Sequence, residues 1–111
     1  MSKMLITDSR LEQALTKLAE TDAQVAELHA EFERAEFRAK AIKDAIFLRS
    51  TGSVAERAAI AGTHMEYGAA MEAYFVALQS HETMKNMRNR EVIVVECWRS
   101  MSSARTKGLI Q

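Results

Sequence analysis

Proline is absent from all 111 residues, and glycine occurs only four times. Without proline nothing removes a backbone donor from a helix interior, so very long helices are permitted. Cys97 is the only cysteine, which rules out an internal disulfide and fits a reducing compartment. Flanked by Val94, Val95 and Trp98, it reads as a small core residue. Fifteen basic residues stand against fifteen acidic ones, so no net charge draws the whole molecule to nucleic acid or membrane. The start, "MSKMLITDSR", lacks the apolar stretch of a secretion signal. The longest strongly apolar run near the end, "VIVV", is far short of a membrane span. A cytoplasmic protein with no membrane partner is expected.

What the chain does have is periodicity. From residue 9 to 50 apolar or small residues recur at steps of three and four. Leu11, Ala14, Leu18, Thr21, Val25 and Leu28 open the series, and Phe32, Ala35, Ala39, Ile42 and Ile46 continue it. That is the heptad seam of a coiled-coil helix, on the order of 60 Å long at about 1.5 Å per residue. Ser9 followed by Glu12 reads as a capping box at its start.

The pattern breaks at "FLRSTGSVAER". Gly52 suits a positive-φ position just past a helix end. Ser53 with Glu56 forms a second capping box, and Thr63 with Glu66 a third, so a short helix over about 54–61 is predicted. A last helix over about 64–104 follows in two seams. Tyr67, Met71, Tyr74, Leu78 and His81 make the first; Met84, Met87, Val94, Trp98 and Met101 make the second, with Glu91 at its missing step. The second seam begins one residue early, a rotation of about 100°. The expected fold is all-α, one domain over 1–111: a long antiparallel helical hairpin, two ~40-residue helices joined by a short one.

A hairpin buries one stripe per helix. Phe37, Phe47 and Leu48 fall off the first seam, Phe75 and Val76 off the second, and "VIVV" is apolar all round. More apolar surface is present than one copy can cover, so a homo-oligomer is expected.

No catalytic constellation is recognised. His29, His64 and His81 are far apart in sequence and are read as lacking a ligating partner one turn away, so no metal or other cofactor is expected. No G-x-x-x-x-G-K-[ST] occurs, so "STGS" is not a nucleotide phosphate loop, and Glu31, Glu33 and Glu36 read as a solvated face. The chain is not expected to be an enzyme.

Two groups of cations are candidates for contacting an anion. At the elbow, Lys43, Arg49 and Arg57 flank exposed N–H groups near Thr51 and Ser53; Arg49 could equally serve only the helix dipole. On the last arm, Lys85, Arg88 and Arg99 project within about 60° of one another. They lie in the cationic stretch 84–111, where Lys85, Arg88, Arg90, Arg99, Arg105 and Lys107 face only Glu91 and Glu96. Such residues supply sequence-independent affinity for phosphates, or else form a solvated flank. Tyr67, Tyr74, Phe75 and Trp98, at heptad spacing, read as core rather than as platforms for bases.

The stretches "KDAIFLRSTGSVAERAAIAG" and "MKNMRNREVIVVECWRSMSSAR" carry a resemblance. The elbow pattern Ser50-x-Gly52-Ser53-x-x-Glu56-Arg57 and the later Trp98-Arg99-Ser100 resemble a set of small helical bacteriophage proteins, over about residues 38–105. The layout of helix, basic elbow and helix is similar to that of the recombination mediators of T-even phages. The resemblance implies an accessory protein of DNA recombination or replication, in the cytoplasm of a bacterial host. It would bind single-stranded DNA through Lys43, Arg49, Thr51, Ser53, Arg57, Lys85, Arg88 and Arg99, and touch a recombinase or single-strand-binding protein. The competing expectation is a protein–protein interaction module or inhibitor of a host complex, without DNA binding.

Overall fold

A computed structural model of the chain describes residues 5–108. It is all-α: helix α1 runs Asp8–Arg49, α2 Val54–Thr63 and α3 Met65–Thr106, with no strand among the described residues. α1 and α3 are 42 residues each. The helical hairpin expected from the periodicity is the fold observed.

The seam of α1 is the buried stripe. All eleven positions from Leu11 to Ile46 are buried or half-buried. Both seams of α3 are also turned inward, including the step filled by Glu91. Contacts order the chain into two compact units, which divide between Val25 and Ala26 and between Glu82 and Thr83. The second division falls where the seam of α3 shifts, after His81.

In the first unit, the start of α1 packs antiparallel on α3 from Thr83 onward: Asp8 meets Trp98, Arg10 meets Glu91, and Leu18 meets Arg88. Ala14 and Glu91 are buried there. In the second unit, Ala26–Glu82, the rest of α1 packs on the start of α3, with α2 at the bend. Its core is Ala35, Ala39, Ile46, Ala61 and His81. Among the described residues Ile46 is the largest side chain fully withdrawn from water, and the other apolar core residues are alanines. Small seam residues let helices approach closely but bury little area, so each core contributes modestly.

The bend is built by local chemistry. Ser50 closes α1 by donating its N–H and its hydroxyl to the Ile46 carbonyl, at 3.0 and 2.6 Å. Gly52 follows with φ +116°, a conformation side chains resist, and an added Cβ would lie 3.0 Å from the Glu56 carboxylate. Ser53 caps α2, its hydroxyl accepting from the Glu56 N–H at 3.1 Å.

Two other boundaries differ from expectation. Thr7, not Ser9, caps α1: its hydroxyl and carbonyl accept from Arg10 N–H and Leu11 N–H, both at 3.0 Å. α2 continues through Gly62 to Thr63, whose hydroxyl donates back to the Ala59 carbonyl at 2.7 Å. The break comes at His64, whose Nδ1 accepts the Glu66 N–H at 3.0 Å, the role assigned in the sequence to Thr63.

Candidate functional site

The elbow residues are brought together in the second unit, and each cation there already has a neighbour. Arg49 Nη2 lies 3.2 Å from Glu66 Oε1 and 3.4 Å from His64 Nε2. Arg57 donates its Nε–H to the Phe47 carbonyl at 3.1 Å and stacks 4.4 Å from the Phe47 ring centroid. That stacking half-buries Phe47, which lies off the seam. Lys43 Nζ sits 5.2 Å from the Tyr67 centroid. Ser53 is engaged as a cap, whereas Thr51 is exposed. The elbow is held by its own cations, which leaves a phosphate to compete with Glu66 and the Phe47 carbonyl.

The arm residues, in the first unit, do not act alike. Arg88 is turned inward, its side chain 19% exposed. One terminal nitrogen donates to the Leu18 carbonyl at 2.7 Å and to the Thr21 hydroxyl at 2.6 Å, and the other reaches Asp22 at 3.5 Å. Lys85 and Arg99 are exposed, with no ion-pair partner among the described residues. Of the predicted basic face, these two point to solvent.

Arg10 was missed by sequence reasoning, which registered Glu91 only as a gap in a seam. It holds that carboxylate with two hydrogen bonds, 2.7 and 3.1 Å long. Hydrogen bonding from Arg10 holds the Glu91 carboxyl below the usual carboxylate range, against the opposing effect of burial.

The histidines are also closer than their numbering suggested. Folding back sets the His29 and His81 rings 5.2 Å apart in the second unit, with Phe32 at 5.0 Å from one and 4.9 Å from the other. His29 does have a partner one turn on: its Nε2 is 2.7 Å from Glu33. His81 Nδ1 is buried without a hydrogen-bond partner, and its nearest carboxylate, Glu82, is 3.8 Å away. Among the described residues no group of three or more His, Cys, Asp or Glu is arranged to hold a metal. The pair works as packing beside Tyr74, whose hydroxyl is raised above the usual phenol range by burial and then by a hydrogen bond to Glu36.

The outer faces hold the rest of the apolar material. In the second unit Phe37, Leu48, Val54 and Met65 are 70% or more exposed, and Phe75 and Val76 exceed half. Val92 and Ile93 of "VIVV" are exposed in the first unit, while Val94 and Val95 are half-buried. Phe75 and Cys97, both read as core in the sequence, face outward. Glu31, Glu33 and Glu36 are solvated. Among the described residues no helix is long and apolar enough to cross a membrane. No family model, curated protein or solved structure matches the chain.

Proposed function

We propose that this protein acts by binding other proteins, and first another copy of itself, as a helical adaptor. The observation that carries the reading is the outward apolar surface of the second unit, above all Phe37 and Leu48, 76% and 74% exposed. Each such side chain is worth about 1.5–3 kcal/mol when fully buried. Apolar surface of this kind gathered on one molecule is the usual mark of an interaction face. No turnover is required of this role. Light scattering tests it: particles heavier than the 12.5 kDa chain are expected at micromolar concentration. A monodisperse single chain would overturn the self-association part.

A second reading, single-stranded DNA binding in recombination or replication, is favoured by Lys85 and Arg99, exposed cations on one side of α3. The resemblance to small phage proteins supports it, and would make the protein partner a recombinase or single-strand-binding protein. Arg49, Arg57 and Arg88 would first have to leave the contacts described above. Fluorescence anisotropy with a labelled oligonucleotide separates the two readings. Binding that weakens steeply with salt would support DNA contact, and none at about 50 mM salt would remove it.

A further inference from the structure

We infer that the face of α1 opposite its core seam is where a second copy docks, its own α1 laid antiparallel about a two-fold axis. This rests on the self-association reading and specifies its geometry.

α1 carries two stripes. The inner one repeats every seven residues and is buried. The outer one repeats every eleven: within the second unit Ala26, Phe37 and Leu48 stand at that spacing, and Ala30 and Ala41 likewise. At about 100° per residue Ala26, Phe37, Leu48 and the two alanines lie roughly 130–180° from the neighbouring positions of the inner seam. An eleven-residue repeat keeps one side of a helix in line over many turns. Phe37 and Leu48 are 76% and 74% exposed. Around Phe37 the face is a shallow depression of about 590 Å³, lined by Ala30, Glu33, Arg34, Phe37, Arg38 and Ala41. Its alanine floor lets another helix come close.

Charge selects the occupant. Between residues 20 and 33, α1 carries Glu20, Asp22, Glu27, Glu31 and Glu33 with no lysine or arginine. Immediately afterwards come Arg34, Arg38, Lys40 and Lys43 against Glu36. The sign thus changes near the middle of the outer stripe. A parallel second copy would set acid on acid and base on base. An antiparallel one centred on this change sets Glu27 and Glu31 beside Arg34 and Arg38 of the second copy, and the reverse. The same register places Phe37 over Ala26 and Ala30 of the second copy. A large side chain thereby meets small ones. The partner that fits face and flanks together is the chain itself.

The test uses the full chain with paired charge reversals. R34E/R38E and E27K/E31K should each sediment as monomers where the native chain is a dimer, with at least a tenfold weaker association constant. Mixed in equal amounts they should form a heterodimer, because each supplies the charge the other lacks. F37E should be monomeric and should not be rescued by either. Circular dichroism checks that every variant keeps its helix content. A native chain that stays monomeric at about 100 μM would overturn the self-association reading itself. A native dimer that survives all three variants would keep that reading and overturn this interface. Monomeric variants that fail to pair on mixing would overturn the antiparallel register.

Discussion

Arg10 grips Glu91 through two parallel hydrogen bonds, Nη1 to Oε1 at 2.7 Å and Nη2 to Oε2 at 3.1 Å, joining residues 81 positions apart. Glu91 occupies a seam position that the surrounding pattern gives to apolar residues, and its side chain is 4% exposed. A carboxylate taken out of water is tolerated only with a partner in good geometry. Arg10→Ala should therefore lower the thermal midpoint more than the joint replacement Arg10→Leu/Glu91→Leu, which removes both charges and keeps the bulk. Circular dichroism melts check this. Equal melting of the single and double variants would show that the pair does not govern the stability of this unit.

The same contact sets a pH dependence. The Glu91 pKa is lowered from its ordinary 4.5, chiefly by the hydrogen bond from Arg10. A carboxyl with a lower folded than unfolded pKa adds stability above the unfolded value and loses it as pH falls through the folded value. The thermal midpoint of the native chain should thus fall on acidification below 4.5. In Glu91→Gln this part of the fall should be missing, with a lower plateau near neutrality. Parallel pH profiles for the two proteins would exclude Glu91 as their source.

Periodicity made the helices legible, since a seam such as Leu11 to Ile46 follows from chain geometry and needs no knowledge of a partner element. The shift after His81 was legible for the same reason, and it coincides with the division between units. What a side chain does across the hairpin was not legible. Arg88 and Lys85 looked alike in sequence, but only Arg88 reaches a carbonyl and a hydroxyl on α1. His29 and His81 looked remote because their proximity depends on folding back. Caps were legible where one residue type dominates, as at Ser53, and misplaced where a less usual acceptor took over, as at His64.

Arg88 and its neighbours on α3 separate a structural cation from a solvent-facing one. Arg88→Ala would leave the Leu18 carbonyl without its charged donor and strip one bond from Thr21. The expected cost is about 1–3 kcal/mol of unfolding free energy. Lys85→Ala and Arg99→Ala, both exposed, should each change stability by less than about 0.5 kcal/mol. Urea unfolding monitored by circular dichroism gives all three. If DNA binding is present, losing it in the latter two without loss of stability would mark them as its contacts. Equal stability losses at all three positions would mean that Arg88 has no special role.

His64 ends one helix and begins the next. Its N–H donates to the Ala61 carbonyl at 3.4 Å while its Nδ1 accepts the Glu66 N–H, and its backbone is extended (φ −67°, ψ 140°). A short acceptor is what a helix start requires, so the ring nitrogen here does the work usually given to a hydroxyl or carboxylate. His64→Ala should cost about 1 kcal/mol, and His64→Asp or His64→Asn should recover most of it. Aspartate has a further advantage, because Arg49 lies 3.4 Å from the ring it would replace. Thr63→Ala should cost less than His64→Ala, since the Thr63 hydroxyl only donates back to Ala59 within α2. Urea midpoints for the four variants decide the matter. A larger loss at Thr63 than at His64 would return the cap to threonine and with it the boundary between α2 and α3.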